Sequence, residues 1–299
     1  MRIAVTGKSG QVVRALLERG AAAGHEVVAI GRPELDLAEA VGATGAFAAV
    51  TPDVIVSAAA YTAVDKAESE AELAHAINAR GAGAVARAAA DLGVPVIHLS
   101  TDYVFDGSKS TAWVESDPVA PLGVYGASKL AGEEAVLVSG ARAVVLRVAW
   151  VFSPFGTNFV KTMLRLTESR DRIGVVADQV GAPTSALDIA DAVLTIAKTL
   201  VERPSEPDFL GVFHMGASGP DASWADFAEA IFTGKSARGA KAPAVDRIPT
   251  SAYPTPTKRP AQSRLESSKL AAVHGVSLPD WRGSLETVLD RLLGPRHSI

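Results

Sequence analysis

The first half of the chain alternates short, β-branched apolar runs with longer stretches rich in Ala and Leu. This alternation is typical of βαβ units, which build a mostly parallel sheet. The short runs are apolar at nearly every position, as expected of strands that are buried on both faces. The pattern predicts strands over residues 2–6, 26–30, 53–58, 95–100 and 143–149, and helices over residues 11–19, 37–49, 70–92 and 125–138.

The last third of the chain, from about residue 204, has a different pattern. Pro becomes more frequent, Trp and Tyr are scattered, and the segment IPTSAYPTPTKRP is rich in turn-forming residues. No internal repeat or low-complexity linker separates this part cleanly from the first. We expect a second region that packs across the open edge of the predicted sheet.

Composition narrows the classes of partner. The chain has 299 residues, is 48% hydrophobic and carries a formal net charge of -4, without a Lys/Arg-rich run. We therefore expect neither a nucleic-acid nor a membrane partner. The absence of Cys excludes disulfides, thiolate metal sites and a cysteine nucleophile. The N-terminal run is too short for a signal-peptide core, and no apolar stretch is long enough to span a bilayer, so we expect a cytoplasmic protein.

A glycine-containing turn follows the first predicted strand. The sequence TGKSGQVV places Gly7 and Gly10 at a G-x-x-G spacing. At a strand-to-helix turn, such glycines let the backbone approach a phosphate, and the amides of the helix N-terminus stabilise the anion. The position directly after the opening strand of a βαβ series favours a dinucleotide site over an ordinary tight turn. Val13 stands where a third Gly often allows close packing of the helix on the strand.

The end of the second predicted strand bears on cofactor choice. Here the chain reads IGRPELDL, so that Arg32 follows Gly31 and the first acid is Glu34. An acid at this place favours NAD because it accepts from the ribose 2′-hydroxyl, whereas Arg accommodates the 2′-phosphate of NADP. We therefore expect NADPH to be preferred and NADH to be possible. The alternative for Arg32 is an ordinary solvated loop cation.

Three side chains indicate carbonyl chemistry. Tyr125 and Lys129 are four residues apart on one face of a predicted helix, and Thr101 follows the fourth predicted strand directly. A cation one turn away should lower the pKa of the Tyr125 phenol, which could then donate a proton to a carbonyl oxygen while hydride arrives at the carbon. The Thr101 hydroxyl could hold the same oxygen. The alternative is that Tyr125 and Lys129 are only neighbours on the face of an amphipathic helix and that Thr101 is a helix cap or turn residue.

The order of these motifs resembles the extended branch of the short-chain dehydrogenase/reductase family. Longer blocks narrow the resemblance to the dTDP-4-dehydrorhamnose reductase family: PDVIVSAAAYTAVDKAESE, IHLSTDYVFDG, PLGVYGASKLAGE, NFVKTMLRL, DQVGAPTSA and TSAYPTPTKRPAQSRL. The resemblance implies an α/β fold with a Rossmann-like doubly wound parallel sheet and a smaller C-terminal substrate-binding region. Residues 1–160 would mainly bind NAD(P), and residues 161–299 would mainly bind substrate, with some segments returning to the first domain.

The resemblance also implies a reaction, in which NAD(P)H reduces the C4 ketone of dTDP-4-dehydro-L-rhamnose to give dTDP-L-rhamnose, a precursor of cell-wall polysaccharide. Tyr125 would donate the proton, Lys129 would bind the nicotinamide ribose, and Thr101 would position the carbonyl. The cofactor-binding residues would be Gly7, Gly10, Gln11, Val12, Arg32, Asp36, Leu37, Ala60, Tyr61, Thr62, Leu99, Tyr125 and Lys129. The substrate-binding residues would be Thr101, Asp102, Tyr103, Trp150, Arg259 and Arg264. The alternatives are that Tyr103 and Trp150 only pack in the core and that Arg259 and Arg264 belong to a solvated basic loop.

Two features bear on metal binding. Some members of the family hold Mg²⁺ between two subunits with carboxylates from three helices. At the corresponding places this chain has Ala15, Leu187 and Arg291, none of which is a ligand for a hard cation. We therefore expect no such metal, and either a monomer or a homodimer. The six His residues show no metal-binding spacing, and we interpret His98, inside an apolar strand, as a core histidine.

Two other interpretations stay open. A related reductase or epimerase would keep the fold and the cofactor and act on another nucleotide-deoxysugar. An epimerase retains its cofactor, whereas a reductase releases it at each turnover. A non-catalytic NADP-binding regulatory subunit would need the glycine turn but not Thr101, Tyr125 and Lys129.

Overall fold

A computed structural model describes residues 1–296, so that residues 297–299 of the predicted second region lie outside the described part. The strands within that part are β1 (Arg2–Thr6), β2 (Glu26–Ile30), β3 (Val54–Ser57), β4 (Val96–Thr101), β5 (Ala143–Val148), β6 (Val151–Phe152), β7 (Arg172–Val176), β8 (Val180–Gly181), β9 (Thr184–Ser185), β10 (Gly211–His214), β11 (Ala222–Ser223) and β12 (Ala244–Ile248). The helices are α1 (Gln11–Ala22), α2 (Ala43–Ala48), α3 (Val64–Ala67), α4 (Ala71–His75), α5 (Ala82–Leu92), α6 (Val124–Leu137), α7 (Phe159–Leu166), α8 (Ala186–Glu202), α9 (Trp224–Ser236), α10 (Ser268–His274) and α11 (Trp281–Leu293). A π-helical segment, Ala76–Gly81, joins α4 to α5, and 3₁₀ turns cover Asp102–Val104, Pro207–Phe209 and Thr250–Ala252.

The central sheet has six parallel strands in the order β10, β5, β4, β3, β1, β2. Every residue of β3, β4 and β5 is buried, as the near-continuous apolar runs predicted. From β1 the chain moves to one side to form β2 and then to the other to form β3. A crevice therefore opens between the loops that follow β1 and β3. The predicted doubly wound α/β sheet is confirmed, and each of the five predicted strands lies within one residue of its predicted bounds.

The helix predictions are confirmed except over residues 37–49, where only α2 is helical. The Asp36 carboxylate accepts the Ala38 N–H at 3.0 Å, which favours a turn over a helix. Ala40 and Gly42 then adopt left-handed backbone conformations with φ of 55° and 78°. A left-handed residue ends a right-handed helix, so the helix cannot begin before Gly42.

Apolar side chains cover both faces of the central sheet. Along β1, Ile3 and Val5 belong to one buried cluster and Ala4 to another, as the period of two in a strand requires. The first cluster contains side chains of α1 and α8, and the second contains side chains of α2, α5 and α6. Helices on both faces leave the carboxyl edge of the sheet as the place where a ligand can enter.

The part of the chain after residue 204 shares the core of the first part. β10 is an edge strand of the central sheet, and the first buried cluster continues into Phe227 of α9 and Leu289 of α11. Residues 257–265 cross the carboxyl edge: Thr257 N donates to Asp65 beyond β3 at 3.3 Å, and Trp113 beyond β4 pairs with Leu265. The boundary at residue 160 stays a prediction. No helix in the described residues is long and apolar enough to cross a membrane.

Candidate active site

The predicted reactive side chains meet at the carboxyl edge of the central sheet. Thr101 is the last residue of β4, and Tyr125 and Lys129 lie in the first two turns of α6. The Tyr125 phenol lies close enough to the Thr101 hydroxyl for that hydroxyl to affect the pKa of the phenol. The rings of Tyr103 and Tyr125 meet edge to face, with their centroids 5.4 Å apart. The structure therefore brings the two motifs together, as the sequence predicted.

The start of α6 is fixed by groups from outside the helix. Gly123 precedes it in an extended conformation and offers no capping side chain. The Glu68 carboxylate accepts the Val124 N–H at 3.0 Å instead, and its charge is favourable at a helix N-terminus. Gly126 lets α6 pack closely against the backbone at Tyr103, because a Cβ at Gly126 would lie 2.2 Å from the Tyr103 carbonyl oxygen. These contacts set the position of the Tyr125 ring.

Asp102 is a buried acid beside this group. Its side chain is 3% exposed, and Oδ1 accepts the Thr101 hydroxyl at 3.0 Å. Oδ2 is buried without a hydrogen-bond partner among the described residues. Burial raises the pKa of Asp102 to about 6, against the effect of the Ser263 and Thr101 hydroxyls. An unsatisfied buried carboxylate oxygen suits a hydroxyl donor on a ligand.

Lys129 is 2% exposed and held by two acceptors. Its Nζ donates to the Leu99 carbonyl oxygen at 2.6 Å and lies 3.3 Å from His98 Nε2. Burial lowers the pKa of Lys129 to about 8, although the charge of Glu133 opposes the shift. The Leu99 carbonyl oxygen thus holds the lysine, and a contact between Leu99 and the cofactor stays a prediction.

The pKa of Tyr125 does not shift in the predicted direction. We expected Lys129 to lower it, but burial raises it above its ordinary value, and the charge of Asp102 adds to that effect. The Lys129 ammonium is engaged by Leu99 and His98. The pKa of the phenol is raised by burial and by the charges of Asp102 and Tyr103. The phenol therefore keeps its proton near neutral pH, as a proton donor must.

The turn between β1 and α1 fits a diphosphate. Gly7 has φ of 93°, and a Cβ there would lie 3.2 Å from the Ala59 Cβ. Gly10 caps α1 without a side-chain hydrogen bond, and no acid lies in the first turn, so the first amides of α1 are available to an anion. The Gln11 side chain turns away from this position, because its Oε1 accepts from Ser153 and Asn158 at 2.8 and 2.9 Å. Val12 and the unexpected Val13 pack on the core.

Two cations lie at the end of β2, where the adenosine ribose was predicted. Arg32 is 81% exposed at its side chain, and its closest carboxylate oxygen, on Asp36, is 3.9 Å away. Lys8 was not predicted, yet its Nζ donates to the Arg32 carbonyl oxygen at 3.0 Å and to Glu34 at 2.5 Å. The Leu37 side chain is buried in the core, so only its backbone could meet a cofactor. Arg32 and Lys8 are the cations available to a 2′-phosphate here, and each has one acid beside it: Asp36 for Arg32 and Glu34 for Lys8.

The loop after β3, which holds Ala60, Tyr61 and Thr62, is anchored by a residue that sequence reasoning missed. Asn78 is 1% exposed and lies in the π-helical segment. Its amide exchanges hydrogen bonds with the Tyr61 backbone at 2.7 and 3.0 Å and donates to Ser128 of α6 at 3.0 Å. A π-helical insertion in a long helix is frequent at functional sites, but no composition signal marks it.

The predicted diphosphate ligands are both paired with carboxylates. Arg259 forms an ion pair with Asp65 at 3.0 Å and lies close enough to Tyr103 to affect its pKa. Arg264 pairs with Asp221 at 2.5 Å, so a ligand would have to replace these partners.

Trp150 is held in a strained position next to the C-terminal part. Its φ is 48°, and its ring stacks on Trp224 with the centroids 3.6 Å apart. The ring edge lies against Gly181, where a Cβ would come within 2.8 Å of it. Strained backbone that the surrounding structure maintains is found mainly at functional sites.

Comparison with known proteins gives the family. Residues 1–293 match the family described as the RmlD substrate binding domain. A dTDP-4-dehydrorhamnose reductase of Sinorhizobium fredii is 48% identical, with 98% of each chain covered. The chain belongs to the dTDP-4-dehydrorhamnose reductase family. The reductase of Escherichia coli K12 is 41% identical, again with 98% of each chain covered.

Solved structures of family members have the same fold. The Clostridium acetobutylicum reductase superposes with a TM-score of 0.89 at 36% identity, over 98% of this chain and 99% of that one. The Bacillus anthracis reductase, solved in complex with NADP, gives a TM-score of 0.87 at 32% identity, over 97% and 99%. The predicted family, the Rossmann-like fold and the class of NAD(P)H-dependent oxidoreductase are thereby confirmed.

The places that hold Mg²⁺ ligands in some family members are filled by other contacts. Ala15 and Leu187 are buried in the core. Arg291 of α11 forms an ion pair with Glu18 of α1 at 2.5 Å. The described residues contain no group of three metal-ligating side chains. Ion pairs thus join these helices within one chain: Arg291 with Glu18 between α11 and α1, and Arg19 with Asp191 between α1 and α8.

Proposed function

We propose that this chain reduces the C4 ketone of dTDP-4-dehydro-L-rhamnose to dTDP-L-rhamnose, with NADPH preferred and NADH possible as the reductant. The meeting of Thr101, Tyr125 and Lys129 at the sheet edge that also carries the glycine turn is the observation that carries the proposal. Full-length similarity to reductases with that name supports the choice of substrate.

The residues have distinct tasks in this reaction. The bound reduced nicotinamide supplies a hydride to the carbonyl carbon. Tyr125 would donate its phenol proton to the carbonyl oxygen. Thr101 would hold that oxygen in place by turning its hydroxyl hydrogen from Asp102 Oδ1 to the substrate. Lys129 uses N–H groups on Leu99 and His98 and has one left for the nicotinamide ribose.

The substrate side of the site is built from the loop after β4 and the C-terminal part. Asp102 Oδ2, buried without a partner among the described residues, would accept a sugar hydroxyl. Tyr103 and Trp150 would present aromatic surface to the pyranose. Arg259 and Arg264 would exchange a carboxylate for the substrate diphosphate, a bidentate contact that suits a guanidinium.

The test is NADPH oxidation at 340 nm with dTDP-4-dehydro-L-rhamnose. Tyr125→Phe should reduce kcat by a factor of about 10² to 10⁴, the usual contribution of a general acid. Tyr253→Phe, on an exposed ring, is the matched control and should keep full activity. Wild-type protein that binds NADPH but leaves the substrate unchanged would refute the proposed reaction.

The alternatives have their own readouts. Turnover of a different nucleotide-deoxysugar would favour the related reductase, and a cofactor that stays bound through purification would favour the epimerase. Tight NADPH binding without turnover of any such sugar would favour the regulatory subunit. The cytoplasmic location and the monomeric or homodimeric state stay predictions, the second of which light scattering would measure.

A further inference from the structure

His98 connects the catalytic lysine to the centre of the sheet. It lies in β4, one residue before Leu99, and is 1% exposed. Its Nδ1 is 3.0 Å from Ser57 Oγ in β3, and its Nε2 is 3.3 Å from Lys129 Nζ. Both ring nitrogens therefore have partners inside the protein, and one partner is a residue of the proposed active site.

The partners determine the state of the ring. An ammonium only donates hydrogen bonds, so His98 Nε2 must be the acceptor and Nδ1 must carry the hydrogen. Nδ1–H then donates to the Ser57 hydroxyl, which accepts through a lone pair. Burial and the charge of Lys129 both keep the pKa of His98 well below its ordinary value, so the ring stays neutral. A neutral ring with this tautomer is a fixed hydrogen-bond acceptor for Lys129.

The other groups around Lys129 cannot easily take this place. Glu133 lies one turn further along α6, but its carboxylate is occupied by Arg147 of β5 at 2.7 Å and by Ser100 of β4 at 2.5 Å. Tyr125, on the same face of α6, interacts with Thr101. The Leu99 carbonyl oxygen accepts one N–H of Lys129. His98 therefore supplies the remaining acceptor inside the protein for a buried ammonium.

We propose that His98 is a positioning residue for Lys129, holding the ammonium charged and aimed at the active site through its neutral Nε2. The inference rests on the proposed function, because it assigns a partner to the lysine of that site. It goes beyond the interpretation of His98 as a histidine that only packs in the core. Without the acceptor, Lys129 would lose its proton at lower pH and its N–H groups would be less well directed.

The first measurement concerns the free protein. In ¹⁵N-histidine NMR, with the His98 signals assigned by their loss in His98→Gln, we expect the neutral Nδ1–H tautomer from about pH 6 to 7, where Lys129 is protonated. An imidazolium, or a neutral ring with the hydrogen on Nε2, would overturn the proposal. This readout needs neither cofactor nor sugar, so its outcome is independent of the proposed substrate.

The second measurement is the pH dependence of NADPH affinity, by fluorescence titration, and of kcat. We expect His98→Leu to move the alkaline limb of both profiles down by about one pH unit and to lower kcat about tenfold at pH 7. His98→Gln places an amide oxygen near Nε2 and should restore most of the profile. Ser57→Ala removes the partner of Nδ1 and should give an intermediate shift.

The control is His274→Leu, which removes another buried histidine, packed on Phe209 and Phe213 away from the site. It should leave both pH profiles at their wild-type positions. Wild-type profiles in a folded His98→Leu protein, or equal shifts in the two Leu variants, would refute the proposal. If His98→Leu does not fold, Ser57→Ala carries the test, and an unshifted pH profile in Ser57→Ala refutes the proposal.

The proposed substrate is tested separately. A wild type that binds NADPH normally but does not reduce the sugar would overturn the proposed substrate, while the pH profiles of NADPH affinity still test His98.

Discussion

The buried ion pair between Glu133 and Arg147 gives the sharpest stability prediction. The side chains are 3% and 5% exposed, and they make two parallel contacts, from Arg147 Nε to Oε1 at 2.9 Å and from the terminal nitrogen to Oε2 at 2.7 Å. Glu133→Gln keeps the volume of the side chain and removes its charge. The change leaves the Arg147 guanidinium buried without a counter-charge.

The expected cost follows from that uncompensated charge. Breaking a buried pair by removing one partner costs about 3 to 5 kcal/mol in the free energy of unfolding. His214, 3.4 Å from Arg147, and the Phe105 ring, 5.0 Å from the guanidinium carbon, offset part of this loss, so we expect the lower end, about 3 kcal/mol. Replacing both partners, as in Glu133→Gln with Arg147→Met, should recover part of the stability because no buried charge remains.

Equilibrium urea unfolding, followed by circular dichroism, measures the effect. Glu229→Gln is the control, because Glu229 pairs with Arg247 at 3.1 Å but both side chains are nearly half exposed. An exposed pair contributes less than about 1 kcal/mol, so the midpoint should hardly move. A Glu133→Gln protein as stable as the Glu229→Gln protein would refute the argument that burial makes this pair indispensable.

Three further predictions concern the site. Asp102→Asn should stabilise the protein at pH 7 to 8 by about 1 to 3 kcal/mol and lower its activity. Because burial raises the pKa of Asp102 to about 6, the native side chain contributes stability below pH 4 that is lost as the pH rises through 6. The free energy of unfolding, measured from pH 3 to 8, should lose this pH dependence in the variant. Lys8→Ala should weaken NADPH binding about tenfold, and Glu34→Gln should strengthen it severalfold, because the two side chains lie at the predicted 2′-phosphate site. Fluorescence titrations should show NADH affinity changed less than twofold in both variants. Equal effects on both cofactors would contradict the placing of Lys8 and Glu34 at that site. Gly181→Ala should raise the KM for the sugar severalfold, because its Cβ would come within 2.8 Å of the Trp150 ring, whereas Gly283→Ala, with open space around its Cβ, should not.

Local signals in the sequence explain most of the fold. The runs of β-branched residues that sequence analysis identified are strands, and β3, β4 and β5 are buried at every residue. The helix prediction over residues 37–49 was wrong because composition does not report the Asp36 turn or the left-handed Ala40. Helix propensity is a weak guide where a side chain competes for backbone hydrogen bonds.

The site was predictable in its motifs and less so in its electrostatics. Spacing placed Tyr125 and Lys129 on one helix face, and the structure brings them to Thr101. Spacing also predicted that the pKa of Tyr125 would fall, but burial, which depends on every surrounding segment, raises it. Asn78 carried no signal of its own, and His98 was interpreted only as a core histidine, because the contacts of both side chains come from other elements of the chain.

The sequence by itself determined the order of the elements, the buried faces and the residue types that react, because these depend on periodicity and on neighbours a few positions away. The tertiary structure decided which partners each charge has. Lys129 meets His98, Arg259 meets Asp65, and Lys8 meets Glu34 through contacts between residues far apart in the chain. Electrostatic interactions depend on distance and burial in space, and neither can be read from separation along the sequence.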